Sequence, residues 1–450
     1  MARQNYWTEP PVVHHTLPSP SHLMPARLLC IGDIHLGRRP SRIPGNLSDY
    51  GVRAGDLTPA AAWRRAVEVA IEQRVNAVVL AGDVVESDNQ YFEAYGPLQA
   101  GVQRLVAAGI PVIGVAGNHD TLVLPRLATD VPGFTLLGRG GTWESHVLEV
   151  DGVPAVRFLG WSFPQKIVPF SPLDTVPAAV GDLPTIGVLH CDLDARGSVY
   201  APISTAALRA APGDAWLLGH IHSPSAQPGP APRGYLGNIS SLDPGETGQR
   251  GAWLLDVKGP GDVSLSRLYI SPLRWESVQV DLGQVSEPDD LEGAIVRAVH
   301  ALHGRLEATL GETRAVGCRV KLVGASPKHR AIVASLEKKD ARALRSKNGD
   351  CIYFVESVED DARQAVDLAE LARGTDPPAL LANMLLEVQN DTDAGRRIVR
   401  EAMVELDKTA RMPNWAQLGP VVDLPASARH HVLRAGLGAL EALLAQREPA

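Results

Sequence analysis

A chain of 450 residues with 45% apolar and 21% charged residues is long enough for two or three domains that each bury a core, which excludes a fibrous or wholly disordered protein. The net charge of -8 argues against a uniformly basic nucleic-acid binder, although carboxylates that hold divalent cations enter that sum. Cys30, Cys191, Cys318 and Cys351 show no CxxC spacing, so neither a zinc ribbon nor a disulfide framework is indicated and a reducing, cytoplasmic setting is expected.

Residues 1–26 carry Pro10, Pro11, Pro18, Pro20 and Pro25 without a continuous apolar core, and are expected to form a flexible extension rather than a secretory signal. No later segment approaches the roughly 20 uninterrupted apolar residues that span a bilayer, so no membrane association is expected. From Arg27 to Ile270 short apolar runs alternate with helical patterns, the pattern of layered α/β architecture. Arg27–Ile31 reads as a strand, and Thr58-Pro59 starts a helix with Trp63, Val67, Ala70 and Ile71 on one face. Ala77–Leu80 is a second strand, a helix through Val102 and Leu105 stops at Gly109, and Pro111–Val115 is a third strand. Ala155–Leu159, Thr185–Leu189, Ala215–Leu218, Trp253–Val257 and Val263–Tyr269 are further strands.

Beyond Pro272, the strand patterns at Trp275–Leu282, Arg319–Val323 and Cys351–Val355, with intervening helices, predict a small α+β domain over 271–356. The acidic stretch Glu356–Asp361 follows it. Residues 357–450 read as helical, ending in an amphipathic helix over 427–446 with Val432, Leu433, Leu437, Leu440 and Leu444 at helical spacing. That helix has two readings: packing on its own domain, or docking a partner.

The chemistry lies where strands end. Gly32-Asp33-Ile34-His35 can aim a carboxylate and an imidazole at one cation, and Gly82-Asp83 adds a carboxylate after Val78–Leu80. Gly117-Asn118-His119-Asp120 abruptly terminates the third strand. His190 closes the run from Ile186, and Gly219-His220-Ile221-His222 offers two neutral nitrogen ligands from one turn. Each motif alone has an ordinary turn or strand-end reading. Together, five strand ends deliver the ligand set Asp33, His35, Asp83, Asn118, His190, His220 and His222. Oxygen and nitrogen donors without thiolate suit manganese, iron or zinc better than calcium or an iron–sulfur cluster.

This ordered set resembles the calcineurin-like metallophosphoesterases, and within them the SbcD and Mre-eleven type DNA nucleases, in particular their YhaO-like branch. The narrower likeness rests on Asp33-Ile34-His35-Leu36-Gly37, Leu189-His190-Cys191, Tyr235-Leu236-Gly237-Asn238, Asp243-Pro244-Gly245-Glu246-Thr247-Gly248 and Arg274-Trp275-Glu276. It is specific from Arg27 to about Leu282. The resemblance implies a layered α/β metallophosphoesterase fold of two packed sheets flanked by helices, a smaller α+β capping domain and a helical C-terminal tail. It implies two divalent ions, manganese first with iron, zinc or magnesium as alternatives: Asp33, His35 and His222 hold one, Asn118, His190 and His220 the other, and Asp83 bridges them. His119 is implied as the acid that protonates the leaving oxygen. Asp120, taken with it as a catalytic residue, either orients a neighbour or caps the turn.

Glu86 departs from the family, which carries His or Asp three residues after the bridging aspartate, and is taken as a substrate contact. Arg38 and Arg39 either clamp a phosphate or are exposed loop residues. Lys338, Arg342 and Arg345 are expected on one helical face that tracks a phosphate backbone, or is merely solvated. The resemblance implies DNA as substrate, a coiled-coil ATPase partner of the SbcC type and a homodimer. The expected activity is a metal-dependent DNA exonuclease working from the 3′ end, with endonuclease action also open, in repair, end processing or defence. The alternatives are a phosphodiesterase or phosphatase for small nucleotides, and a non-catalytic scaffold recruiting an ATPase to DNA.

Overall fold

The computed structural model describes residues 24–178, 182–338, 343–412 and 423–446. The chain divides into two compact units: Met1–Val278 with Val296–Val320 and Ala341–Val358, and Gln279–Ile295 with Lys321–Asp340 and Glu359–Ala450. The segment expected at 271–356 is therefore shared between them.

The first unit opens with β1 (Ala26–Ile31), α1 (Pro59–Glu72), β2 (Ala77–Leu80), α2 (Tyr91–Ala107), β3 (Val112–Gly114), α3 (Val123–Asp130) and β4 (Phe134–Leu136). The predicted cap is present: Thr58 Oγ1 accepts the Ala61 amide at 3.3 Å and Pro59 occupies the first turn. There follow β5 (Glu144–Val150), β6 (Val153–Trp161), β7 (Thr185–His190), α4 (Thr205–Ala210), β8 (Ala215–Gly219), β9 (Gly229–Pro230), β10 (Arg233–Tyr235), β11 (Ala252–Gly259) and β12 (Asp262–Leu268). They form a seven-stranded sheet ordered β4-β3-β2-β1-β11-β12-β9 and a five-stranded sheet ordered β10-β8-β7-β6-β5. In the first, β1 to β4 pair in parallel; in the second, β6, β7, β8 and β10 do.

Alternation along β1 shows how the layers arise. Leu28 and Cys30 join Ile186, Val188 and Leu217 in the core between the sheets, whereas Leu29 and Ile31 pack with Trp63, Val67 and Leu98 of the helical layer. The expected two-sheet architecture flanked by helices is thus present. Strand β5 escaped the sequence reading because only Leu148 in it is buried, as suits an edge strand. It pairs with β6 across a turn at Asp151-Gly152, both with positive φ, 53° and 77°.

The chain continues with β13 (Leu273–Asp281), α5 (Leu291–Leu306), β14 (Ala315–Val323), β15 (Ala325–Ser326), α6 (His329–Lys338), β16 (Arg345–Asn348), β17 (Cys351–Asp360) and β18 (Arg363–Gln364). A third sheet is ordered β13-β14-β17-β16. Within the first unit, Leu273, Trp275, Ala315, Ile352 and Phe354 share a core with Leu47, Val52 and Leu57. The acidic stretch does not follow this strand but extends it to Asp360. Glu356 is buried there and accepts Arg42 at 2.5 Å.

In the second unit, α7 (Leu368–Leu371), α8 (Pro377–Gln389), α9 (Asp393–Ala410) and α10 (Leu424–Ala445) close the chain. The apolar stripe of α10 faces inward: Leu440 is fully buried with Ala382 and Leu385, and Leu433, Leu437 and Leu444 pack against the same cluster. Of the two readings of this helix, packing on its own domain is the one observed. No helix among the described residues is long and apolar enough to cross a membrane.

Candidate metal centre

Adjacent parallel strands in both sheets end at one place, and polar residues after such ends project into a shared crevice. Asp33 and His35 follow β1, Asp83 follows β2, Asn118 follows β3, His190 ends β7, and His220 and His222 follow β8. All seven predicted ligands are brought together. Asp33, His35 and His222 present ligand atoms within 4.8 Å of one another, as do Asp83, His190 and His220. Asn118 Oδ1 lies 3.1 Å from His190 Nε2 and 3.0 Å from His220 Nδ1, which places it with the second group.

Close approach of these loops constrains the sequence before each ligand. A Cβ at Gly117 would stand 2.1 Å from Asp83 Oδ1, and one at Gly82 would stand 2.5 Å from His190 Nδ1, so neither position admits a side chain. The ligand residues themselves are strained. His35, Asp83 and His220 have φ of 57°, 46° and 105°, conformations that non-glycine residues adopt only when their surroundings over-determine them.

The donor chemistry fits divalent cations. His222 Nδ1 faces the Glu246 carboxylate at 2.5 Å and so carries the ring proton, which leaves its Nε2 as a lone pair 2.9 Å from His35 Nε2. Asp33 Oδ2 is buried and accepts no hydrogen bond, although Asp33 Oδ1 takes the His220 amide at 2.9 Å. On the other side, His190 Nδ1 donates to the Ala81 carbonyl at 3.1 Å, aiming Nε2 at Asn118 Oδ1 and, at 3.3 Å, at Asp83 Oδ2. Acceptors facing acceptors in a buried place call for a proton or a cation between them. Burial opposes charge on both members of the Asp83–His190 pair, yet their attraction prevails: it holds Asp83 well below the usual carboxylate range and lifts His190 to about 9. At His220, burial and the neighbouring His190 lower the imidazole pKa, favouring the neutral, ligating form.

The remaining predicted residues separate. His119 stands at the mouth: its amide donates to Asp83 Oδ1 at 3.0 Å, its Nδ1 lies 2.8 Å from the Glu86 carbonyl, and its ring meets His35 edge-on at 5.3 Å between centroids. Asp120 is fully buried and turned away from the crevice's donors. Its carboxylate accepts the amides of Val84, Val85 and Gly117 at 2.7, 3.2 and 2.8 Å, so it ties two ligand loops together and has no catalytic position. Arg38 is paired with Glu86 at 3.2 Å and with Asp243 at 2.5 Å, while Arg39 is exposed. The Glu86 carboxylate lies 2.8 Å from His35 Nδ1, off the direction of a hydrogen bond, and His35 and Arg38 lower its pKa against the effect of burial. Among the described residues, Lys338 and Arg345 do not share one helix. Lys338 closes α6, Arg342 lies outside the described residues, and Arg345 starts β16, where its guanidinium stands over the Phe354 ring and reaches Asn46.

Sequence reasoning assigned no role to Glu246, Asn238 or Asp192. Glu246 bonds His222 as above, Asn238 Nδ2 donates to Glu246 at 2.9 Å, and Asp192 lies 3.2 Å from His220 Nε2. The signal for the first two was the pair of segments Tyr235–Asn238 and Asp243–Gly248, which stand apart in sequence from every ligand motif.

Residues 26–224 match the calcineurin-like phosphoesterase family, and residues 275–363 match the middle domain of metallophosphoesterase YhaO. Among known protein sequences, the chain is 26% identical over 225 residues to the "uncharacterized metallophosphoesterase YhaO" of Bacillus subtilis, covering 49% of this chain and 55% of that protein. It is 24% identical over 276 residues to the "DNA double-strand break repair protein Mre11" of Aeropyrum pernix, covering 57% of this chain and 64% of that protein. The chain thus spans less than two thirds of the length of either relative. Among solved structures, a dimetal phosphatase from Danio rerio aligns at a TM-score of 0.34 and 15% identity, over 54% of this chain and 98% of that one.

Proposed function

We propose that this chain, with its calcineurin-like phosphoesterase domain over residues 26–224 and its YhaO-type middle domain over residues 275–363, is a two-metal phosphodiester hydrolase acting on DNA ends, manganese-dependent and working from the 3′ end. The observation that carries this reading is the convergence of six candidate ligands into two groups, with Asn118 bonded to the second. Asp33, His35 and His222 would hold one ion, Asn118, His190 and His220 the other, with Asp83 between them. Two bound divalent cations supply an activated water and neutralise charge at phosphorus. His119 provides the proton. With Nδ1 directed at the Glu86 carbonyl, Nε2 is the atom from which a proton passes to the departing sugar oxygen, a contribution of about 100- to 10,000-fold. Relatives named as DNA double-strand break repair proteins support the choice of DNA.

A specific observation keeps a second reading in play. Arg38 is already engaged by two carboxylates, which suits a small nucleotide as well as a polymer. A panel of Mn2+, Mg2+ and Zn2+ against end-labelled duplex DNA, single strands, RNA, cyclic nucleotides and simple phosphate esters separates the two. Release of nucleotides from labelled duplex ends supports the nuclease; turnover confined to small esters and cyclic nucleotides replaces it with the second reading.

A further inference from the structure

His222 differs from the other histidines of the crevice in what holds it. It follows β8 by three residues and is part exposed, so strand geometry does not fix its ring as it fixes the buried His190. A closed set of hydrogen bonds takes over that task. The Asn238 amide donates to the His222 carbonyl at 3.1 Å, fixing the backbone. The Asn238 side chain donates to Glu246 Oε2 at 2.9 Å, the Leu242 amide donates to the same oxygen at 2.6 Å, and Glu246 Oε1 receives the His222 ring proton. Both carboxylate oxygens are thereby committed. Glu86 and Asp192 meet His35 and His220 differently: Glu86 lies off the hydrogen-bond direction and shares its charge with Arg38, while Asp192 stands 3.2 Å away with its other oxygen taking the Ser198 hydroxyl.

We propose that Glu246, braced by Asn238, is a positioning residue that locks the His222 ring in the Nδ1–H tautomer and so presents Nε2 to the ion shared with Asp33 and His35. A carboxylate on the far nitrogen of a ligating histidine fixes its tautomer and orientation and raises its basicity, and removing such a partner characteristically weakens metal binding about 10- to 100-fold. The effect should be confined to one of the two ions, because the hydrogen bonds of Asn118, His190 and His220 run to Ala81, Asp33 and one another rather than to this set. The inference rests on the two-metal reading above.

The test is Mn2+ titration by calorimetry of the full chain, with 15N-histidine spectra of the metal-free protein and melting curves as the check on folding. The wild type is expected to bind two ions and to show His222 protonated on Nδ1. In Glu246→Ala one binding event weakens about 10- to 100-fold and the other is unchanged, while the His222 ring becomes a mixture of tautomers. Glu246→Gln keeps an acceptor for His222 and should lose less than about tenfold. Asn238→Ala, which leaves the carboxylate in place, reports the brace separately and should fall between them. Equal weakening of both events in a folded variant, or no change in either, overturns the positioning role. A wild type that binds no Mn2+ overturns the two-metal reading instead.

Discussion

Asp120 Oδ2 accepts the Val84 amide at 2.7 Å, joining the loop after β3 to the loop after β2. Its other oxygen takes the Gly117 amide, so one buried carboxylate sets the separation between Asn118 and Asp83. Asp120→Ala would strand three buried amides, each at a cost of about 1–3 kcal/mol. The expected outcome is a drop in the urea midpoint together with loss of Mn2+ binding. Retention of both would show that the loops hold their spacing unaided.

His119→Ala separates chemistry from metal binding. The ring faces His35 and the Glu86 carbonyl and its nitrogen comes within 4.8 Å of ligand atoms of His35 and Glu86, but the proposal gives it no ion to hold, so Mn2+ affinity should stay within a fewfold of wild type. Cleavage should fall about 100- to 10,000-fold, most for substrates with poor leaving groups. Comparing an alkyl with a nitrophenyl phosphodiester checks this: the activated ester needs no acid and should be nearly spared.

Glu356 offers a pH-dependent test away from the ions. Burial raises its pKa, but Ser357, Arg42 and Arg319 outweigh that and depress it below the usual value. A carboxylate depressed in the folded state stabilises above its unfolded pKa, near 4.3, and the contribution vanishes as pH falls through the folded value. Glu356→Gln should therefore lose about 1.5–3 kcal/mol at pH 7, and the gap to wild type should close progressively below about pH 4. Urea unfolding at both pH values measures it.

In the second unit, Leu440→Ala removes a fully buried side chain from the cluster that joins α10 to α8 and should cost about 2–5 kcal/mol. Truncation after Asp423 should unfold this helical cluster rather than merely release a partner. Proteolysis of residues 366–446 reports the change, and Mn2+ affinity should be unaltered because no ligand lies there.

The ligands were legible from sequence because each stands at an abrupt change from a buried strand to a small or polar residue. Asp83 after Val78–Leu80 and His190 after Ile186–Leu189 need no tertiary knowledge to be noticed. Their partners were not legible in that way. Asp120 looks like its catalytic-seeming neighbour His119 until its three amide donors are seen, and two of those come from residues 35 and 36 positions away, the third from its own turn. Glu246 reaches His222 from 24 positions along the chain, with β9 and β10 between them, so no periodicity announces it. Arg345 failed for a different reason: a charged run with helical spacing carries no memory of where a helix stops, and here the chain has already entered a strand. The hairpin partner β5 was hidden by its own exposure.

The assembly of the centre from two sheets has a mechanical consequence. Asp33, Asp83 and Asn118 are anchored on one side of the shared core and His190 and His220 on the other. Were two ions bound as proposed, parting the layers would require extracting them first, and they would act as rivets through the sandwich. At a free concentration one hundred times its dissociation constant, each contributes about 2.7 kcal/mol against opening. Chelation should then loosen the layers before it disturbs either sheet, and the rate at which Cys30 or Ile186 becomes accessible to exchange would register how firmly the chain is clenched.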